Sequence, residues 1–287
     1  MNDAVLSPLL RIRAGRDQMS AIERRIADYI LENSRLLRDY SSQQLANSLG
    51  ISQSSVVKFS QKLGFKGYPD LKFSIGEAVA RENGVHELGV AAEAAEHPHA
   101  ALAEDLLRAK SRAEEETRLI NPPEQVDAVA AAIGGAGRVL LVGLGEDGFP
   151  ARAFASRLSL LGIPAAHYFD PRLVAPFIAS AAAGDVLVVF SELGKQPELC
   201  RLARQAKKRR SKVISVTRNT ANALRAQSDY ALLVSAHDGR PPFEVLLYPS
   251  AVQHVLDLLF VLLCDGSRER LGRLKDNLER IQRLADP

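Results

Sequence analysis

Two groups of residues in this 287-residue chain have types and spacings that could do chemistry. The first is polar and helical. Ser52, Gln53, Ser54, Val57, Lys58 and Gln61 fall on one side of a segment that Ser52 can cap and Gly64 can stop. A glutamine amide can bond adenine at two points, a lysine ammonium can reach guanine acceptors, and a valine methyl can touch that of thymine. These are the contacts of a helix laid in the major groove of DNA. Ser41, Ser42, Ser55, Lys62, Lys66 and Tyr68 flank that face as candidate phosphate contacts, which position a reader without specifying sequence. The second group lies far downstream in three short segments, 143–148, 191–196 and 217–220. It comprises Gly143, Gly145, Glu146 and Asp147, then Ser191, Glu192, Gly194, Lys195 and Gln196.

The elements that must position the first group are legible. Ser20-Ala-Ile-Glu23 has the form of a capping box, followed by Ile22, Ile26, Tyr29 and Ile30 at helical spacing. This predicts a core-facing helix over 21–33. Ser41-Ser-Gln-Gln44 opens a second, short helix ending at Leu49. Gly50 follows, able to adopt the left-handed turn, and Ser52 starts a third helix over 53–63. Leu45, Leu49, Ile51, Val56 and Phe59 are placed to wedge the last two helices together, with the small Ala46 at their approach. Short helix, three-residue turn and second helix is the helix-turn-helix pattern.

The second group depends on a different architecture. Apolar, β-rich runs at 138–143, 165–169, 185–190, 212–217 and 230–234 alternate with helical patterns at 149–161 and 197–210. Two apolar-rich helices, 243–264 and 268–284, close the chain. Continuous apolar strands separated by helices predict a five-stranded parallel sheet covered on both faces. Such sheets bind ligands beyond the carboxyl ends of their strands, which is where the three segments fall. The prediction is therefore an all-α head over 1–80, a linker over 81–99 rich in Ala, Glu, Gly and His, and an α/β domain over 100–287. Helices are expected over 100–119 and 123–134, with Glu114-Glu-Glu116 on a solvated face and His97-Pro-His99 as solvated loop histidines.

Composition narrows the function classes. The formal net charge is only +3, but Lys/Arg and Asp/Glu number 12 and 9 over 1–85, 4 and 10 over 86–137, and 21 and 15 over 138–287. A mildly basic head suits DNA, although its small excess predicts weak binding by one copy and thus paired heads on a palindrome. Cys200 and Cys264 stand apart in apolar helical patterns, as reduced buried thiols, and no metal-ligand spacing is present. The amino terminus has no apolar signal core and is broken early by Pro8 and several Arg. The longest apolar stretch, 255–264, is half a membrane span and contains Asp257. A soluble cytoplasmic protein without membrane contact is expected.

The run Ser41-Ser-Gln-Gln-Leu-Ala-Asn-Ser-Leu-Gly-Ile-Ser52, continuing to Lys72, resembles the head of the RpiR/MurR family of regulators, as does 21–32. The resemblance implies a transcriptional regulator whose C-terminal sugar isomerase (SIS) domain binds phosphosugars, dimerises and switches DNA binding. Its partners would be a palindromic duplex operator, a small carbohydrate effector and further copies of the chain, as a homodimer or dimer of dimers. Neither catalysis nor a cofactor is expected. At the effector site the chain departs from the family pattern. Asp147 stands where a serine is usual two residues after the second glycine of the first loop. The loop of form Ser-x-Ser-Gly-x-Thr/Ser reads Ser191-Glu-Leu-Gly-Lys-Gln196. Ser191 and Gly194 remain, Leu193 and Gln196 replace hydroxyls, and Glu146, Asp147 and Glu192 oppose a phosphate that Lys195 only partly offsets.

Three ligand readings stay open: a phosphosugar held by Ser191, Gly194, Lys195 and nearby amides, a neutral or cationic sugar or amino compound, or a silent pocket serving dimerisation. Two rival functions remain as well. Gly143-Leu-Gly-Glu-Asp-Gly148, with Asp170 after the second strand, formally matches a dinucleotide fingerprint and would suit a redox-sensing repressor binding NAD(H). Glu244 and His254 could serve as the general base and ring-opening histidine of a sugar-phosphate isomerase.

Overall fold

A computed structural model describes residues 8–34, 37, 40–84 and 98–285. The chain divides into two compact units, Met1–Ala109 and Lys110–Pro287.

The first unit contains α1 (Pro8–Gly15), α2 (Ala21–Glu32), α3 (Ser42–Leu49), α4 (Gln53–Lys62) and α5 (Tyr68–Gly84). Both capping boxes form. Ser20 accepts from the Glu23 amide while Glu23 accepts from that of Ser20, and Ser41 and Gln44 do the same at the start of α3. Gly50 adopts φ 59°, the left-handed conformation that ends α3, and Ser52 caps α4. Ile26 and Ile30 of α2, Leu45 and Ala46 of α3, and Val56 and Phe59 of α4 are buried in one core.

Two features differ from the sequence expectation. Pro8 opens α1 instead of breaking the chain, because a first-turn proline gives up no helical hydrogen bond. Ile22 keeps the helical spacing yet is 47% exposed. It lies in the first turn of α2, where the apolar stripe outruns the core.

The helix α6 (Pro98–Ile120) spans the division at Ala109, and the second unit continues through α7 (Pro123–Gly134), β1 (Val139–Gly143), α8 (Gly148–Leu160), β2 (Ala165–Tyr168) and α9 (Pro171–Ala179). Then follow β3 (Val186–Phe190), α10 (Pro197–Lys208), β4 (Lys212–Arg218), β5 (Tyr230–Val234), α11 (Pro241–Asp265) and α12 (Arg268–Ala285). The five strands pair in parallel in the order β2-β1-β3-β4-β5. β3 is buried at all five positions, as a central strand covered on both faces must be. The chain leaves β1 toward β2 and returns to β3 on the other side of β1, so the crevice between β1 and β3 is a topological switch point.

Helix occupies 81–84 and 98–99, while the remainder of the expected linker, 85–97 with His97, lies outside the described residues. α9 has no counterpart in the sequence reading. It is nine residues long and carries Pro176 inside, which obscures its periodicity.

The expectation of a solvated acidic run on α6 fails at Glu116, which is 2% exposed and accepts from the Ser235 hydroxyl at 2.8 Å. The cause is the open edge of β5. Thr117 and Asn121 use their side chains to satisfy the backbone of Ser235 and Leu233, and Gln125 donates to the Ala231 carbonyl. The end of α6 and the start of α7 thus close the edge that a sixth strand would otherwise pair.

α11 is long and apolar enough to cross a membrane. Here one stripe of it, including Leu247, Ala251, Val255 and Leu259, is buried as a core helix against α7, α8, α12 and β5.

Candidate functional site

The candidate reading face is the outer side of α4. Val56, Phe59 and Ser60 turn inward, and the Ser60 hydroxyl satisfies itself on the Val56 carbonyl at 2.9 Å. The opposite side leaves Ser52, Gln53, Ser54, Lys58 and Gln61 exposed, with Val57 and Ser55 half-buried. Ser52 Oγ lies 2.8 Å from Ser55 Oγ and 2.9 Å from Ser54 Oγ, a hydroxyl cluster at the helix start. Gln53 donates to Ser42 Oγ at 2.9 Å, which fixes the start of α4 against the start of α3.

Lys66 is exposed on the loop before α5, and its amide donates to Asp70 at 2.9 Å. Lys62 is exposed but forms an ion pair with Glu23 at 2.9 Å, and this ammonium holds the Glu23 carboxyl below its usual range. Tyr68 must be corrected as a phosphate contact. Its side chain is 2% exposed, and its hydroxyl has no hydrogen-bond partner among the described residues. Burial pushes its pKa up to about 12. Tyr68 starts α5, and its ring completes the head core instead of facing outward.

In the second unit a cleft of about 380 Å³ opens at the carboxyl ends of the strands. Three of the expected effector residues, Glu146, Asp147 and Glu192, line it, together with Arg218, Glu244 and Tyr248. Pro150, Pro241, Val245, Pro249 and Val252 supply apolar wall. The turn from β1 into α8 carries Glu146 and Asp147 through a single 3₁₀ turn, Gly145–Asp147. Gly145 has φ 59°, and a Cβ on Gly143 would overlap the Asp147 carbonyl oxygen. A Cβ on Gly148 would come within 3.1 Å of the Gly143 carbonyl oxygen. The chain's own turn therefore accounts for the fingerprint glycines, and Asp170 is engaged in capping α9 and pairing with Arg172.

Asp147 accepts from the Glu192 amide at 3.1 Å. Its carboxyl is pushed up to about 6, chiefly by burial, with Glu192 and Glu146 adding to the rise and the amide bond opposing it. Arg218, at the end of β4, pairs with Glu192 at 2.7 Å and reaches Glu244 at 3.5 Å. Tyr248 donates to the Val216 carbonyl at 3.4 Å. Burial raises its hydroxyl pKa well above the ordinary value, and Asp147 and Glu192 add to that.

The remaining expected effector residues do not line the cleft. Ser191 is 1% exposed. Its hydroxyl accepts from the Gly194 amide at 3.0 Å and donates to the Gln196 side chain. Gly194 takes φ 61°, and a Cβ there would overlap Asn222. Lys195 is exposed and is not among the residues lining the cleft. Gly143 and Gly145 act through backbone geometry. Sequence reasoning marked the 217–220 loop without singling out Arg218, and it missed Tyr248, which lies within an apolar helix pattern. Glu244 belongs to the cleft. His254 lies instead in a separate shallow pocket, 3.7 Å from Glu114.

A helix-turn-helix unit with a left-handed glycine turn, followed along the chain by a doubly wound parallel domain with a cleft at its switch point, is the architecture of helix-turn-helix transcriptional regulators that carry a sugar-isomerase-type domain. The rpiR-family helix-turn-helix model matches residues 7–82 and the SIS domain model matches 133–256. The chain is 31% identical over 265 residues to the uncharacterized HTH-type transcriptional regulator YfhH of Escherichia coli (strain K12), spanning 92% of this chain and 94% of that one. It belongs to the RpiR family of transcriptional regulators.

The Vibrio vulnificus NanR protein, solved in complex with ManNAc-6P, shares the fold with a TM-score of 0.60 at 20% identity over 96% of this chain and 99% of NanR. The sugar isomerase domain of an RpiR transcription factor from Sphaerobacter thermophilus matches with a TM-score of 0.57 at 18% identity, covering 62% of this chain and 98% of that one.

Proposed function

We propose that the protein is a sequence-specific DNA-binding regulator of sugar or amino-sugar metabolism, controlled by a small carbohydrate-type effector held in the cleft of its SIS domain. The observation that carries the DNA half is the α4 face: Ser52, Gln53, Ser54, Lys58 and Gln61 stand exposed together on a helix braced by a buried apolar side. Polar side chains in that arrangement have the reach for base edges, while Lys62 and Lys66 suit phosphates. Residues 1–80 would read DNA, 81–99 would connect, and 100–287 would sense. Two copies on a palindrome, in the cytoplasm, form the working unit, since one head carries little excess charge.

The effector half draws support from the cleft at the switch point and from a neighbour of the same fold that holds a phosphosugar. Binding without turnover is favoured because Arg218 already engages Glu244 and because His254 is outside the cleft.

The test is selection of genomic fragments by the purified full-length protein, followed by sequencing, with Lys58→Ala in parallel. The expected result is a palindromic site beside sugar-uptake or catabolic genes, with at least a tenfold loss for the variant, equivalent to about 1.4 kcal/mol and within the usual value of one base contact. Fragments of random sequence, recovered equally by the variant, would refute sequence reading by this head.

A further inference from the structure

We propose that the cleft selects an unphosphorylated, ammonium-bearing sugar or a hydroxylated amine of similar size. The inference rests on the proposed reading of this cleft as the effector site, and it is carried by the loop geometry and the charge of the lining.

A phosphate-binding loop works by presenting hydroxyls and amides to the anion. In this chain those groups are already engaged internally. The Ser191 hydroxyl is buried between the Gly194 amide and the Gln196 side chain. The Glu192 amide, which faces the β1–β3 crevice, donates to Asp147 at 3.1 Å. A carboxylate of the chain itself therefore occupies the donor that a phosphate would need. Lys195, the cation nearest in sequence, does not line the cleft.

The lining carries four carboxyl groups, Glu146, Asp147, Glu192 and Glu244, against one guanidinium, Arg218. Arg218 is shared between Glu192 and Glu244. A dianion placed there meets net repulsion in a partly desolvated site, whereas an ammonium gains from the same charges. Burial holds Asp147 partly protonated near neutral pH, and a bound cation would relieve that cost. Pro150, Val245, Tyr248 and Val252 add apolar lining suited to the carbon face of a ring. A volume of about 380 Å³ lies in the range of small-molecule sites and accommodates one such ring.

Four probes separate the charges: glucosamine, N-acetylglucosamine, glucosamine 6-phosphate and glucose 6-phosphate. Acetylation removes the cation and keeps the ring, while phosphorylation adds the anion. Titration calorimetry on the full chain at pH 7.5, above the Asp147 pKa of about 6, is expected to give glucosamine binding at least about tenfold tighter than either N-acetylglucosamine or glucosamine 6-phosphate. Glu146→Gln, an exposed position whose change should leave folding intact, is expected to weaken glucosamine several-fold, and Glu192→Gln more strongly.

Tighter binding of either phosphosugar than of glucosamine overturns the inference, as does no glucosamine binding at millimolar concentration. Operator affinity measured in the same samples separates this from the effector reading. Phosphosugar binding that shifts operator affinity would sink the ligand class and keep the effector site. Glucosamine binding with the expected selectivity but no operator response would support the ligand class and remove the effector role.

Discussion

At the residue scale, burial rather than residue type decides what each side chain does. Asp147 has a folded pKa of about 6, above an unfolded value of about 3.9. Its contribution to stability is therefore fully present below the unfolded pKa and is lost as pH rises through the folded one. Asp147→Asn keeps an oxygen to accept from Glu192 and removes the ionisation. The variant should gain stability at pH 8, by at most about 3 kcal/mol, and that gain should shrink markedly by pH 5. Melting curves at the two pH values check this, and an equal gain at both would show that ionisation is not the source. Tyr68 offers a second case. Its buried hydroxyl has no partner among the described residues, so Tyr68→Phe should leave stability equal or higher and operator affinity unchanged. A tenfold loss of operator affinity would restore it as a DNA contact.

At the element scale, two glycines hold turns for different physical reasons. A Cβ on Gly50 would meet nothing within 4 Å, so Gly50→Ala costs only the left-handed backbone strain, about 1–2 kcal/mol. A Cβ on Gly143 would overlap the Asp147 carbonyl oxygen, which is backbone and cannot step aside as a flexible side chain could. Gly143→Ala must therefore reopen the turn between β1 and α8. Chemical denaturation of the full chain should give it a larger loss than Gly50→Ala, with effector response lost as well. A milder loss than that of Gly50→Ala would mean that the turn is free to adjust. The same contrast explains why the Gly143-x-Gly145-x-x-Gly148 pattern carries little weight as a dinucleotide signature: the turn needs those glycines with no ligand at all.

At the scale of the whole molecule, regulation requires that effector and operator share one coupling free energy. If saturating effector changes operator affinity by some factor, saturating operator must change effector affinity by that same factor. Typical couplings are about 5–150-fold. Paired titrations of the full chain, at one salt concentration because phosphate contacts make operator affinity steeply salt-dependent, should return matching factors. Factors that differ beyond error would mean that binding is not a simple linkage between these two sites. An effector with equal affinity for both states, however tight, would shift nothing.

Much of the architecture follows from signals that act over a few residues. Capping boxes at Ser20 and Ser41, the left-handed Gly50 and the apolar spacing of α3 and α4 are local backbone chemistry, so α4 and its exposed polar face could be placed from sequence. Continuous apolar runs did the same for the five strands, and their separation by helices implied that they pair in parallel. The failures are of another kind. Pro8 was read as a break and the helix carrying Pro176 was not read at all, because whether a proline opens, interrupts or is tolerated by a helix depends on what packs beside it. Ile22 lost its expected burial and Tyr68 its expected exposure because both depend on where the core ends. Glu116 was drawn inside where the end of α6 and the start of α7 seal the open edge of β5. The cleft shows the divide most clearly. Glu146, Asp147 and Glu192 were identified by position in their loops, but their junction with Arg218, Glu244 and Tyr248 spans about 100 residues of chain. Strand order and register bring those groups together and leave Ser191 sealed behind them. Local sequence thus determined which elements exist, while long-range packing alone decided which charges meet, how deeply they are buried and what they can bind.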